Sequence, residues 1–167
     1  MRRVVVSEFV SLDGVMEDPG GAEGFEHGGW TFPYWNDEIG KLKLDEILEA
    51  DALLLGRVTY EGFAAVWPSM TDEQGFADRM NSLPKFVAST TLKEPEWQNT
   101  TVIEGDTAGE IAELKADSGQ DILVAGSTGS SCRRWRNTIS STSTASSCIQ
   151  SSWEAGSVSS VTGRMRP

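Results

Sequence analysis

One apolar strand marks how far this chain can build a core. Asp121-Ile-Leu-Val-Ala-Gly126 is an uninterrupted run of the kind buried on both faces of a sheet, and directly after it the composition changes. The 41 residues from Ser127 to Pro167 hold 13 Ser and 5 Thr, no Asp or Lys, and both cysteines; the preceding 126 hold 6 Ser. Residues 1–126 are enough for one domain, and the Ser/Thr-rich tail adds little with which to enlarge it. Charge divides at the same seam. The body carries 9 Lys+Arg against 24 Asp+Glu, a net −15, and the tail carries 5 Arg against Glu154, a net +4. So acidic a body argues against non-specific nucleic-acid binding, which needs clustered Lys and Arg.

The opening Met1-Arg-Arg-Val-Val-Val-Ser-Glu-Phe-Val10 is basic and then apolar, but Glu8 breaks the run and no small-residue cleavage site follows. No stretch approaches the roughly 18 apolar residues of a membrane span. With Cys132 and Cys148 confined to the tail, these features imply a cytoplasmic protein without structural disulfides.

Val4 to Leu12 reads as a first strand running into the turn Asp13-Gly14. A Gly-rich loop with an aromatic group, Trp30, Phe32, Tyr34 and Trp35, follows and suggests a pocket wall. Asn36 can cap a helix with Ile39, Leu42, Ile47 and Leu48 near one face. Ala52-Leu-Leu-Leu-Gly56 is a second run suited to a parallel sheet, followed by a helix from Arg57 to Val66 that closes at Trp67-Pro68. A helix over 72–83, strands over 85–89 and 101–104, a helix over 108–116 and the strand at 121–125 complete the pattern. Strands alternating with helices point to an α/β sheet with helices on its faces.

Three strand ends carry the candidate chemistry. At Leu55-Gly56-Arg57-Val58-Thr59 a buried strand passes at once into a helix, so free backbone N–H groups and the positive helix end face outward, a geometry suited to phosphate. Arg57 adds a guanidinium fork and Thr59 a hydroxyl donor; the plainer alternative is a turn glycine beside a solvated arginine. Ser89 and Thr90 offer donors at a second strand end, where an ordinary strand exit is the competing explanation. Gly126 and Ser127 form the third, and ligands of open α/β sheets lie beyond such ends. The first strand–helix unit lacks G-x-G-x-x-G, and Gly126-Ser-Thr-Gly129 lacks the lysine of a P-loop. Asp13 either points into a cleft or bonds its own turn. His27, the sole histidine, has no ligand-spaced partner, so no metal site is expected. Glu46, Glu49 and Asp51 read as a solvated helix end.

Taken together, Ser11-Leu-Asp-Gly14, Leu55-Gly-Arg-Val-Thr-Tyr-Glu61, Phe86-Val-Ala-Ser89 and Asp121-Ile-Leu-Val-Ala-Gly126 resemble the dihydrofolate-reductase-like superfamily. Within it they are most similar to the reductase domain of the bifunctional deaminase-reductase of riboflavin synthesis and its stand-alone relatives. In order and spacing the resemblance covers residues 1–126. It implies a three-layer α/β/α fold with a central mostly parallel sheet, and a reductase that uses NADPH on a pyrimidine- or pterin-like heterocycle. By the same likeness Gly56, Arg57 and Thr59 would hold cofactor phosphates, Ser89 and Thr90 would lie near the adenosine 2′-phosphate, and Gly126 with Ser127 would approach the pyrophosphate. Asp13, Gly14 and Trp30 would border nicotinamide and substrate. The cofactor would supply hydride and the protein orientation and a proton source. The proton donor is unassigned: Asp37 and Glu38 lie in the region where dihydrofolate reductases carry an acid, but neither aligns securely. A nucleotide-binding protein without turnover is the alternative from another class.

The family continues with a helix and terminal strands, through which relatives form homodimers, and the tail reads as neither. Yet Ser130 to Thr144, written mostly with G/C-ending codons and read from the third base, encodes Leu-Val-Gln-Ala-Leu-Ala-Gln-His-Asp-Leu-Val-Asp-Glu-Tyr. The same shifted frame through Gly163 can yield Pro-Val-Val-Leu-Gly and Gly-Lys-Arg-Leu-Phe, which belong to the family ending in family order. Residues 127–167 are therefore expected to be a frameshift product that replaced the native helix and strands. A natural low-complexity tail is the competing explanation. Sequencing the coding DNA across this region is expected to show codons compatible with the shifted string; incompatible codons would reject the frameshift.

Overall fold

The apolar runs become strands because each must shed water on both sides, and only the interior of a sheet covered twice allows that. In the computed structural model, which describes residues 2–126 and, beyond them, the backbone of residues 147–154 and 157–164, the strands form one sheet. Its elements are β1 (Val4–Val10), α1 (Asp37–Glu49), β2 (Ala50–Gly56), α2 (Arg57–Val66), α3 (Phe76–Ser82), β3 (Lys85–Ala88), β4 (Thr100–Ile103), α4 (Thr107–Ala116), β5 (Asp121–Ala125), β6 (Ser147–Glu154) and β7 (Ser157–Arg164). The strand order is β4-β3-β2-β5-β1-β6-β7. Every neighbouring pair is parallel except β6 with β7.

Alternation within each run sorts the core into two layers. Val4, Val6, Ala52, Leu54, Ile122 and Val124 face Ile111 of α4. Val5, Leu53, Leu55 and Leu123 face Ile47 of α1, Tyr60 of α2 and Met80 of α3. Leu53, Leu54 and Leu55 are all fully buried, and each contributes about 1.5–3 kcal/mol by leaving water. The result is the expected three-layer α/β/α arrangement around a mostly parallel sheet.

Helix ends follow local chemistry. Asn36 caps α1 by accepting from the Ile39 N–H, as its residue type suggests. The third helix begins at Phe76 rather than 72, because Asp72 spends its carboxylate on the amides of Gln74, Phe76 and Ala77 instead of joining the helix. No basic residue occupies the last turn of α1; Arg79 of α3 supplies the positive charge, donating to the carbonyls of Ile47 and Ala50 at 3.4 and 2.6 Å. Leu48, expected on the apolar face of α1, is 51% exposed, since the buried stripe runs through Ile39 and Ile47.

Beyond Ala125 the sequence marks no strand, yet β6 pairs along β1 from Val6↔Cys148 to Val10↔Ser152, and β7 folds back on it. Sheet pairing is made by backbone groups, and a Ser-rich segment offers them without displaying hydrophobic alternation.

Lys85 is the one fully buried lysine among the described residues. Its ammonium donates to the carbonyls of Asn81, Leu83 and Gln98 at 2.8, 2.8 and 3.2 Å and lies 4.2 Å from the Trp97 ring centroid. Burial pushes its pKa from 10.5 down to about 8. The unfolded chain therefore holds this proton between roughly pH 8 and 10.5 while the folded chain releases it, so stability rises with pH across that window. Denaturant titrations should show wild type gaining on Lys85→Met from pH 8 to 10; a constant difference would mean that Lys85 keeps its charge in the fold.

Candidate active site

Because β1 to β5 all run the same way, the residues that follow them emerge at one edge. At β2 the exit is Gly56, paired across the sheet with Ala88, so the first turn of α2 stands beside the exit of β3. Among the described residues, a side chain at Gly56 would meet nothing within 4 Å. Asn36, Asp72 and Asp106 hydrogen-bond amides at the starts of α1, α3 and α4, but the start of α2 has no side-chain cap among the described residues. Its leading N–H groups are thus available to an anion.

Arg57 is exposed and holds Glu61 one turn along the helix, its Nη1 at 2.8 and 2.7 Å from the two carboxylate oxygens. An exposed i,i+4 pair is worth only about 0.3–0.5 kcal/mol, so turning Arg57 toward a phosphate costs little. Thr59 serves differently from the expected phosphate donor. It is buried, and its hydroxyl donates to the carbonyl of Gly126, tying the exit of β5 to the first turn of α2. Gly126 has φ +68°, and a Cβ there would come within 2.5 Å of Thr59 Cγ2, so both backbone conformation and space call for glycine. The structure thereby brings Gly56, Arg57, Thr59 and Gly126 together.

Ser89 reaches the same edge, but its hydroxyl accepts from the amides of Thr91 and Leu92 at 3.1 and 3.0 Å and so shapes its own turn. Thr90 is exposed beside it. Ser127 lies outside the described residues. Asp13 is an exposed turn residue whose carboxylate accepts from the Ser11 hydroxyl, followed by Gly14 at φ +86°. Trp30 is half-buried, its indole N–H 2.9 Å from the Glu17 carbonyl. The loop between them is knotted by Asp18, which the sequence did not single out. Asp18 is 2% exposed at φ +45°, and its carboxylate accepts from the amides of Glu23 and Phe25 at 3.0 and 3.1 Å. Burial alone would raise its pKa; backbone N–H groups outweigh this and hold it below the ordinary carboxylate value. His27 is exposed and meets Phe25 edge-on. No group of residues suited to a metal occurs among the described residues.

The reading of Glu46, Glu49 and Asp51 as a solvated helix end is corrected. Of the three only Glu49 is exposed; Asp51 pairs with Arg2 and accepts from the Gln120 amide. The Glu46 side chain is 8% exposed, turned onto the sheet where Ser7 of β1 and Lys43 of α1 meet it. Asp37 and Glu38 are exposed at the start of α1, whereas Glu46 is the buried acid of that helix. Its signal in the sequence was position: Lys43, Glu46 and Ile47 share a helix face, and Ile47 is core.

A family profile described as RibD C-terminal domain matches residues 2–131. Among solved structures, the dihydrofolate reductase of Schistosoma mansoni is similar with a TM-score of 0.55 at 15% identity, over 90% of this chain and 73% of that one, a likeness of fold. No curated protein matches.

The contact at Gly126 is open to direct test. Gly126→Ala places a non-glycine residue at positive φ and a methyl group against Thr59, and should destabilise by about 2–4 kcal/mol in chemical denaturation. Adding Thr59→Ser removes the opposing methyl while keeping a hydroxyl and should recover part of that loss; no recovery would place the cost entirely in the backbone.

Proposed function

The chain belongs to the RibD C-terminal domain family, and from that premise we propose that it is a reductase that uses NADPH on a pyrimidine- or pterin-like heterocycle, in the manner of the aminouracil reductase of riboflavin synthesis. Family and fold together support an oxidoreductase acting on a small heterocycle. The observation that carries the cofactor reading is the uncapped start of α2 at an open glycine, with Arg57 lightly held beside it and Gly126 drawn in from the neighbouring strand. These residues suit a dinucleotide: main-chain N–H groups for phosphate oxygens, a guanidinium for a further phosphate, and a glycine where a side chain would obstruct.

When bound, the cofactor supplies the hydride. The chain's own residues do the rest. Gly56 and Arg57 grip phosphate, and Thr59 positions Gly126 rather than contacting the ligand itself. Ser89 and Thr90 border the 2′-phosphate, and Ser127 belongs with Gly126 in this reading. Asp13, Gly14 and Trp30 border the substrate end, the loop between them held in shape by Asp18. A cytoplasmic location completes the proposal, with a homodimer built on the terminal strands where the native family ending is present. So does residues 1–126 as the reductase unit, with 127–167 a frameshifted replacement of the family ending. No helix among the described residues is long and apolar enough to cross a membrane.

Titration of the protein into NADPH, followed by cofactor fluorescence, should show binding, and oxidation should follow on adding a suitable pyrimidine or pterin. Binding without oxidation across candidate heterocycles would favour a nucleotide-binding protein without turnover, and no binding would remove both. Arg57→Ala should weaken NADPH by about tenfold and NADH much less, as expected for loss of one charge-assisted contact. Equal losses would remove Arg57 from the 2′-phosphate.

A further inference from the structure

The edge strand β4 is gripped at both ends by residues of β3 and its exit. At the entry, the Lys85 amide donates to the Asn99 carbonyl at 2.8 Å and the Lys85 ammonium to the Gln98 carbonyl at 3.2 Å. At the exit, the Ser89 amide donates to the Ile103 carbonyl at 3.2 Å, and the Ser89 hydroxyl accepts from the Thr91 and Leu92 amides. Between these grips β4 has only the residues Thr100–Ile103, and among the described residues β3 is the one strand that bonds it. So short an edge strand has little pairing of its own, and a change at its entry reaches its exit.

The grip at the entry depends on a count of protons. Lys85 is fully buried, and an ammonium has three N–H groups and no lone pair. All three find acceptors: the Asn81 and Leu83 carbonyls at the end of α3, each at 2.8 Å, and the Gln98 carbonyl, the most distant at 3.2 Å. A neutral amine has two N–H groups and a lone pair, so it serves two carbonyls and repels the third. The one released is Gln98, an exposed residue with the longest bond, whereas the other two carbonyls close a helix end. Burial makes this proton easy to lose, bringing the pKa to about 8.

Among the described residues no charge opposes that loss. Arg79 of α3 turns to the carbonyls of Ile47 and Ala50, and Asp78 is exposed. Asp51 of β2 pairs with Arg2, and Arg57 of α2 with Glu61. In the segment that leads into β4, Lys93 pairs with Glu104 while Glu94 and Glu96 are exposed. The titratable neighbour is Tyr60 of α2, whose hydroxyl accepts from the Trp97 amide, and the Trp97 ring centroid lies 4.2 Å from the ammonium.

We propose that the third proton of Lys85 is a latch on β4: with it Gln98 is held and the Ser89–Leu92 turn is seated, and without it, in mild alkali, both ends of the strand loosen together. Losing the proton also relieves a buried charge, so the fold as a whole gains stability while this one contact is given up. Ser89 and Thr90 border the 2′-phosphate only on the reductase reading, and on that reading the latch weakens the grip on NADPH in alkali while sparing NADH.

Carbon-detected NMR of the full, carbon-13-labelled chain tests the latch without a variant. From about pH 6.5 to 10 the Lys85 Cε resonance should titrate with a midpoint near 8, and the Gln98 and Ile103 carbonyl carbons should move with it. Asn81 and Leu83 should move less than Gln98. Ile103 ends β4, about 10 Å beyond its first residue, so its movement reports the strand rather than the charge. A Gln98 or Ile103 carbonyl that stays fixed, a Lys85 that keeps its proton throughout, or a larger movement at Asn81 or Leu83 would overturn the latch. In Lys85→Met the shared midpoint should vanish; its persistence would assign it to another group. NADPH and NADH titrations separate the two readings. Between about pH 7 and 9 NADPH should weaken about threefold more than NADH, the worth of one modest hydrogen bond. Equal changes while the carbonyls titrate would overturn the link from β4 to the cofactor edge. Failure to bind NADPH at any pH would overturn the reductase reading alone, since the carbonyl titration needs no cofactor.

Discussion

The lateral bonding of β5 between β1 and β2 joins parts of the chain far apart in sequence. Ile122 pairs with Val4 on one side and Ala52 on the other, and Val124 with Val6 and Leu54. Because all three strands are parallel, each connection must leave the sheet and return, which is why helices cover both faces. The same insertion delivers Gly126 to the first turn of α2. Without β5 in the centre, Gly56 and Arg57 would be an isolated strand–helix junction rather than one wall of a shared edge.

That edge concentrates conformations other residues cannot adopt. Gly126 approaches Thr59 so closely that a methyl group would overlap it, and the Asp18 knot holds a buried carboxylate on main-chain amides at positive φ. Backbone held this way resists rearrangement. Ser7, Lys43 and Glu46 lie on the other side of the same design, where α1 covers β1 and polar groups intrude into an otherwise apolar layer. Polar groups placed there would cost stability if left alone, and these three offset it by bonding one another.

Much of the body was legible beforehand, for reasons that differ by element. The bounds of α2 and β5 agree with the sequence because each has sharp local punctuation, Gly56 before one and Trp67-Pro68 after it, and Gly126 after the other. The start of α3 was misplaced because Asp72 can begin a helix or cap one, a choice made by hydrogen bonds further along. Strands β6 and β7 gave no pattern because serine-rich pairing depends on a partner edge rather than on alternation. Among candidate site residues, Gly56, Arg57 and Gly126 were singled out from local geometry, and the fold brings them to one edge. Thr59 was found for the wrong task, since only the fold reveals that its hydroxyl already has an acceptor. Glu46 was passed over because a carboxylate near a helix end ordinarily stands in solvent.

The sequence by itself therefore determined the elements, their alternation, the two-faced burial of β2 and β5, and the family to which the body is similar. These depend on periodicity and on residues within a few positions of one another. Only the tertiary structure decided the strand order, the meeting of Gly126 with Thr59, and which acid of α1 faces inward. Those outcomes depend on pairs separated by 36 to 118 positions, such as Lys43 with Ser7 and Arg3 with Asp121. Whether two such groups meet is set by how layers pack, and no local pattern encodes it.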